Sequence, residues 1–324
     1  MKSIRPSTLD EFVGQETARR VVLVLTTAAR KRNETVPHLL LSAMPGQGKT
    51  TLARIIAAAT GGRLVETVAS SIKTPAEMTE RLLALHERDV WFIDEIHALG
   101  RPVEEQLYGA MEDGAVASDR KGYDQMLRQI GVRTGGGDGN RTIQRLPDFT
   151  LIGATTLLGL CSAPLRSRFT QIIELEPYGV DALQMIVTAA ARKLAFPLAD
   201  DLAGEIAVRS RNTARAAVGN LLWYRDYVAA DGGVATREAL EAAFHLKGVD
   251  ASGFTRGDRA YLRCLVENED PVGLETLAAT LGESAETIQE GIEPFLLRQG
   301  LIQRTGRGRQ ATEKGRRVLA EADA

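Results

Sequence analysis

The sequence predicts a parallel β-sheet covered by helices, then an all-helical domain, then a helix-turn-helix followed by a β-hairpin. Three observations carry this reading. Short apolar runs alternate with helical segments over the first two-thirds of the chain. A glycine-rich segment, "SAMPGQGKTT" (Ser42 to Thr51), lies between one such run and a helix. From about Pro177 the strand-like runs give way to helical periodicity. Strands that alternate with helices imply crossover connections and a parallel sheet.

The elements follow in order. "ETARRVVLVLTTAARKR" has apolar residues at helical spacing and ends in a basic cluster, which suits the negative end of a helix dipole. "HLLLS" is long enough only for a buried strand. "KTTLARIIAAATG" reads as a helix stopped by Gly61-Gly62. "RLVETV", "DVWFIDE", "FTLIGATT" and "QIIELE" are further strands, with helices such as "PAEMTERLLALHER" between some of them. The all-helical part holds "DALQMIVTAAARKLA", "DDLAGEIAVRSR", "ARAAVGNLLWYRDYVA" and "TREALEAAFHLKG". In the last part Leu274, Leu277, Leu281, Ile288, Ile292 and Leu296 form a helix-turn-helix core around a turn at Gly282. The glycines and alternation of "GLIQRTGRGRQATEKG" then predict a hairpin. The expected domains are 1–176, with an unusual segment at 114–146, then 177–248 and 249–324.

Composition narrows the function. A chain of 324 residues exceeds one ordinary core, and 44% hydrophobic with 25% charged residues is the balance of a soluble globular protein. No apolar run approaches the roughly 18 residues of a membrane span, and the N-terminus lacks a signal-peptide pattern. The expectation is a cytoplasmic protein with no membrane partner. Cys161, Cys264 and four histidines match no metal-ligand spacing, so a metal site built from protein ligands alone is not expected. A net charge of −2 argues against a generally basic nucleic-acid coat. Yet Arg298, Arg304, Arg307, Arg309, Lys314, Arg316 and Arg317 face one acid, Glu313, in the same stretch.

The glycine-rich segment carries the chemistry. A phosphate-binding loop needs Gly, four residues, then Gly-Lys-Ser/Thr. Here Ala43 replaces the first glycine, while Gly46, Gln47, Gly48, Lys49, Thr50 and Thr51 follow. Glycines let backbone N–H groups turn inward around phosphates, lysine neutralises their charge, and the threonine hydroxyl binds magnesium. "VWFIDEIH" adds a buried strand ending in Asp94-Glu95: the first carboxylate can hold magnesium opposite Thr50, the second can activate water. "GATT" brings Thr155 and Thr156 to another strand end. "LRSRF" offers Arg166 and Arg168, either solvated or reaching a neighbouring subunit's nucleotide. On the terminal hairpin, Arg304, Arg307 and Arg309 can pair with phosphates without reading bases.

These motifs together resemble an AAA+ ATPase and, more narrowly, the RuvB family of branch-migration motors. The likeness runs almost end to end, through "RPSTLDEFVGQ", "GKTTLARIIA", "DVWFIDEIHAL", "VEEQLYGAMED", "LPDFTLIGATT", "APLRSRF" and "IEPFLLRQGLIQRTGRGRQAT". The resemblance implies an AAA+ P-loop ATPase domain, a small helical lid domain and a C-terminal winged-helix domain. It implies ATP and Mg2+ as cofactors. Lys49 and Thr50 would meet phosphates and magnesium, Asp94 magnesium, and Glu95 the attacking water. Thr155 or Thr156 would sense the γ-phosphate, Arg168 would act in trans, and Arg215 would be the second sensor. Arg5, Pro6, Val13 and Tyr178 would lie near the adenine. The family's partners are duplex DNA or a four-way junction, its own copies in a hexameric ring, and RuvA as junction-binding protein.

The chain also departs from the family. Ala43-Met44 replaces Gly-Pro, the proline before Arg215 is missing, Trp223 and Tyr224 replace basic residues, and Leu157 replaces the arginine after "GATT". Where the family has an apolar-tipped hairpin that docks on RuvA, this chain has a longer, basic segment with glycines at its centre. Such a segment would not preserve the apolar contact. Its Arg120, Lys121, Arg128, Arg133 and Arg141 could meet DNA or another partner instead. The leading expectation is an ATP-driven DNA translocase acting on Holliday junctions in recombination and repair. The alternatives are an AAA+ loader or remodeller working on a protein, and a DNA-binding module that holds nucleotide without turnover.

Overall fold

A computed structural model describes residues 4–119, 141–268 and 270–323. Contacts group the chain into two compact units, one running through Ala182 and including Thr213–Arg215, the other formed by Leu183–Asn212 and the chain from Ala216 onward.

The first unit is built on five parallel strands: β1 (Leu39–Ser42), β2 (Leu64–Val68), β3 (Val90–Asp94), β6 (Thr150–Thr155) and β7 (Gln171–Glu174), in the order β2-β3-β6-β1-β7. Its helices are α1 (Glu16–Arg32), α2 (Lys49–Thr60), α3 (Pro75–Leu83), α4 (Arg101–Glu112) and α5 (Ala163–Ser167). Alternate residues of each strand enter different cores. Leu39, Leu41 and Phe92 pack with Val22, Leu52 and Ile56 of α1 and α2. Leu40, Trp91 and Ile93 pack with Met78, Leu82, Val103 and Leu107 of α3 and α4. This is why the strands read as unbroken apolar runs. Each fully buried Leu or Ile contributes about 1.5–3 kcal/mol. With both faces covered, polar chemistry is confined to the strand ends.

After α4 the chain forms an antiparallel pair, β4 (Ala115–Asp119) with β5 (Arg141–Arg145), Ala115 opposite Arg145. Val116 is buried and Ile143 exposed. This pair is the base of the expected 114–146 segment, and Arg141 opens its returning strand. Arg120, Lys121, Arg128 and Arg133 lie outside the described residues.

The second unit holds most of α6 (Val180–Lys193), α7 (Asp200–Val208), most of α8 (Ala214–Asp231) and α9 (Arg237–Lys247). Leu183, Leu202, Ile206, Leu221, Leu240 and Phe244 are buried among them. The two aromatic replacements on α8 are packing residues. Tyr224 is fully buried, donates to Thr236 O (2.8 Å) and sits edge-on to Phe196. Trp223 donates to Ala243 O (2.8 Å).

The same unit continues into α10 (Arg256–Glu267), whose start is closed by the Thr255/Asp258 capping box. α11 (Leu274–Leu281) ends at Gly282 with φ 67°, the left-handed cap that the sequence predicts. The next helix runs from Ala285–Thr287 through a π turn (Ile288–Ile292) into α12 (Glu293–Arg298). The hairpin β8 (Ile302–Thr305) and β9 (Gly308–Ala311) and then α13 (Glu313–Asp323) complete a helix-turn-helix with one wing. Leu277, Ile288, Ile292 and Leu296 lie in its core, with Leu274 and Leu281 packed at the margin. Gly308 allows β9 to approach Val272: an added Cβ would lie 2.4 Å from Val272 O.

The four-helix segment and the chain after it fall within one compact unit. Arg211 donates to Asp258 Oδ1 (3.0 Å) and Gly291 O (3.2 Å) and lies over the Phe295 ring. Gln299 donates to Asn212 Oδ1 (3.0 Å). These polar contacts join the four-helix segment to the winged helix, and nothing in hydropathy signals them.

The structure distinguishes the three arginines of the wing. Glu293 is fully buried and accepts hydrogen bonds from Tyr261 (2.8 Å), from Arg309 Nε (2.7 Å) and from Arg304 Nε (2.8 Å). Arg309 therefore turns inward, its side chain 14% exposed, and Arg304 leans over the same carboxylate. Lys314 donates to Gln299 O, Arg316 to Val266 O and Arg317 to Glu313. Arg307, in the hairpin turn, is exposed and makes no side-chain contact among the described residues.

Burial would raise the Glu293 pKa, but hydrogen bonds from Arg309, Tyr261 and Arg304 hold it below its ordinary value. A depressed carboxylate stabilises the fold above the ordinary carboxylate range and loses that contribution as the pH falls through its folded value. Glu293→Ala leaves two arginines facing an empty site, and is expected to destabilise the second unit by about 3–5 kcal/mol. Thermal unfolding followed against pH checks both points: the wild type should weaken on acidification more than Glu293→Gln.

Candidate active site

Three strand ends build the site. β1 delivers Ser42 to the loop that enters α2. Gly46 (φ 81°) and Gly48 (φ 104°) hold the left-handed backbone this loop needs. A Cβ at Gly46 would lie 3.0 Å from Arg215 Cβ and 3.3 Å from Thr213 Cβ, and one at Gly48 would lie 3.0 Å from the Phe12 ring. Both glycines are therefore required by neighbours as well as by φ.

Ala43, the departure from the phosphate-loop pattern, is buried and is not among the residues with positive φ. Its carbonyl accepts a 2.7 Å hydrogen bond from Lys49 Nζ, and its N–H donates to Thr155 O (3.1 Å). The lysine contact thus uses backbone that any residue supplies. Gln47 is buried behind the loop, while Thr50 and Thr51 are half-buried in the first turn of α2.

β3 ends at Asp94, and Glu95 follows in the left-handed region (φ 49°, ψ 48°). A non-glycine residue held there stores strain of about 1–3 kcal/mol, a cost often found at functional sites. Glu95 Oε2 accepts from Thr156 Oγ1 (3.0 Å) and Thr156 N (3.3 Å), tying β3 to the end of β6. His97 Nδ1 lies 3.3 Å from the same oxygen and shares a 2.9 Å hydrogen bond with Thr155 Oγ1. Thr155 is fully buried and also accepts from Leu157 N (3.0 Å). The two threonines therefore differ: Thr156 meets the carboxylate directly, and Thr155 meets it through His97.

Charge is concentrated where water is scarce. Burial lowers the Lys49 pKa, against the opposing pull of Glu95 and Asp94. Burial and the Glu95 charge raise that of Asp94, against Lys49 and Arg215. Arg215 reaches this group from the start of α8, its backbone N–H donating to Gly46 O (3.3 Å). Tyr178 is buried, its phenol pushed up to about 12 by burial, and it donates to Gln47 O (3.4 Å). Arg5 is exposed, and Pro6 and Val13 are half-buried.

Four residues near the loop escaped the sequence reading. Phe12 packs on Gly48. Thr213 flanks Gly46. Gln15 clamps Glu176 through two backbone hydrogen bonds (2.7 and 2.9 Å), fixing the segment that carries Tyr178. His97 lies in "DEIH", directly beside the carboxylates, which was the available signal.

Arg168 stands apart from the loop. It follows α5, donates from Nη1 to Pro164 O (2.7 Å) and from Nη2 to Glu112 Oε2 (3.1 Å), and lies 4.0 Å over the Tyr108 ring. Arg166 is half-buried on the same short helix.

The arrangement suits a nucleotide polyphosphate with a divalent cation. Two left-handed glycines shape the loop, and the buried Lys49 ammonium lies at it. Among the described residues no cluster of three His, Cys, Asp or Glu side chains could hold a metal alone, so a cation here would share phosphate oxygens with the protein.

Comparison with known proteins agrees with this geometry. Residues 4–175 match the model of the Holliday junction DNA helicase RuvB P-loop domain. Residues 178–250 match the RuvB AAA lid domain, and 251–320 the RuvB C-terminal winged helix domain. The Holliday junction branch migration complex subunit RuvB of Kosmotoga olearia is 42% identical over 99% of this chain and 91% of its own length. The protein of that name from Rubrobacter xylanophilus is 43% identical over 96% and 84%. The solved Thermotoga maritima RuvB Holliday junction branch migration motor superposes with a TM-score of 0.82 at 37% identity, covering 98% of each chain. A solved point mutant of that Thermotoga maritima protein superposes at 0.84, also at 37% identity and with the same coverage. The chain belongs to the RuvB family of P-loop AAA proteins.

Proposed function

We propose that this protein is an ATP-dependent DNA translocase of RuvB type, driving branch migration of Holliday junctions during recombination and repair. The observation that carries this reading is the grouping of Lys49, Asp94, Glu95 and Arg215 around a glycine cradle, in a chain whose other end is a winged helix.

Each residue has a role that follows from its position. Lys49 and the loop N–H groups would bind the β and γ phosphates, and release of Lys49 from Ala43 O would supply the charge. Thr50 and Asp94 would hold Mg2+, which supplies charge neutralisation on the phosphates when bound. Glu95 would orient and deprotonate water once its carboxylate leaves Thr156. Thr156, and Thr155 through His97, would report the γ-phosphate to it. Phe12 and Tyr178, with Arg5, Pro6 and Val13, would wall the base. Arg168 would serve the site of the next copy in a hexameric ring. Arg307 at the wing tip would touch duplex phosphate without reading sequence. No helix among the described residues is long and apolar enough to cross a membrane, and the proposed site of action is the cytoplasmic DNA. A junction-binding partner of RuvA type belongs to this reading, although the 114–146 segment differs from the apolar hairpin such a partner needs.

ATP hydrolysis measured with no DNA, linear duplex and a four-way junction tests the proposal. DNA-stimulated turnover is expected. It should fall about 10²–10⁴-fold in Glu95→Gln, and by ~10³-fold or more in Arg168→Ala. Lys49→Ala should abolish nucleotide binding. ATP bound without turnover under all conditions would sink the motor reading. For the wing, titration of duplex affinity against salt should show Arg307→Ala flattening the log–log slope by about 0.9 for each phosphate no longer neutralised; Arg309→Ala should instead lower stability.

A further inference from the structure

Helix α4 places Glu104, Tyr108 and Glu112 at intervals of four, on one helical face. All three act on the α5 segment. Glu104 is buried, and one of its oxygens accepts from both Tyr108 OH and Ser162 Oγ. Ser162 in turn caps α5, accepting from Leu165 N (3.1 Å). The ring of Tyr108, fixed by its hydroxyl, lies flat under the Arg168 guanidinium at 4.0 Å. Glu112, half exposed, accepts from Arg168 Nη2. A long surface arginine is thereby held to 18% exposure. Two of its five donors are engaged, by Pro164 O and Glu112, and Nε is buried without a partner.

We infer that Tyr108 and Glu112 are positioning residues for Arg168, holding its guanidinium in one ordered orientation from which it acts on the nucleotide of a neighbouring copy. This rests on the proposed trans role of Arg168. The physical reason is entropy. A free arginine loses rotamer freedom when it binds, and a group already ordered does not lose it again in the transition state. The aromatic face holds the cation without using an in-plane donor, so the second N–H of each terminal nitrogen is not consumed by a protein acceptor among the described residues. Burial and the hydrogen bond to Glu104 both raise the Tyr108 phenol pKa, so it remains a donor and the ring remains anchored.

The test uses the full-length oligomer with DNA. Tyr108→Ala is expected to lower kcat about tenfold, and Glu112→Gln about threefold, consistent with misplacement of one catalytic group. ATP affinity should stay unchanged, because each subunit's own site is intact; the thermal midpoint should hold in Glu112→Gln, whereas Tyr108→Ala lowers it by removing a ring packed on the core and a donor to Glu104. Neither substitution should add to the loss in Arg168→Ala. Subunit mixing gives the readout that a folding defect would not move. Glu95→Gln subunits have silent sites but intact fingers, so adding them should restore turnover at the sites of Tyr108→Ala subunits. Subunits carrying Glu95→Gln together with Arg168→Ala should not. Wild-type kcat in both Tyr108→Ala and Glu112→Gln, or a loss that mixing fails to restore, would overturn the inference while Arg168→Ala remained inactive. Full turnover in Arg168→Ala would remove the trans role itself, and the inference with it.

Discussion

A sheet buried on both faces can expose polar groups only where its strands end, and the rest of the first unit depends on that constraint. Leu39 to Leu41, Val90 to Ile93 and Thr150 to Thr155 are all buried, so none of these strands has a solvent face on which to carry chemistry. The carboxyl ends of β1, β3 and β6 instead deliver the loop, Asp94-Glu95 and Thr155-Thr156 to one place, as parallel sheets do. The parallel register matters here. Ser42 lies opposite Thr155 and Val68 opposite Asp94, so a slip of one residue would turn these side chains to the other face.

The charges at this edge are balanced to be incomplete. Lys49 has lost hydration to burial, and the nearby carboxylates do not restore its ordinary pKa. Asp94 has lost hydration as well, and the adjacent Glu95 charge opposes its ionisation more than Lys49 favours it. Each group would gain from a partner of opposite sign: a polyanion for the ammonium, a cation for the carboxylate. Nucleotide with magnesium supplies both at once. The same logic bears on Glu95, whose carboxylate Thr156 engages at a strained backbone position and which a bound ligand would have to compete for.

Much of this was legible in the sequence because it depends on local pattern. The five strands appeared as apolar runs, and Gly61 and Gly282 marked helix ends that the structure has with positive φ. What was not legible depends on side-chain direction and on contacts far apart in the chain. "RTGRGRQ" looks like a basic wing, yet Glu293, eleven to sixteen residues away, draws two of its arginines inward. Phe12 was not singled out because it is one apolar residue among several in its segment, and only the fold shows that it meets Gly48. The Arg211–Asp258 pair spans 47 residues and joins segments that hydropathy separates.

The wing shows why a count of positive charge misleads about nucleic-acid contact. A buried carboxylate with one arginine would satisfy the charge, but its two oxygens offer about four acceptor positions. Tyr261, Arg304 and Arg309 fill these from α10, β8 and β9, so the carboxylate of Glu293 fixes the hairpin on the helices. Arg309 is further held where β9 pairs with Val272, two 2.8 Å backbone hydrogen bonds setting its height. The cost is that these arginines are not simply available to phosphate. The gain is a stiff hairpin that carries Arg307 at its turn, where a single guanidinium can meet a duplex backbone of any sequence. In the proposed motor, a contact that is rigid toward the protein and indifferent to the bases would suit stepping along DNA, and this division of the arginines would supply it.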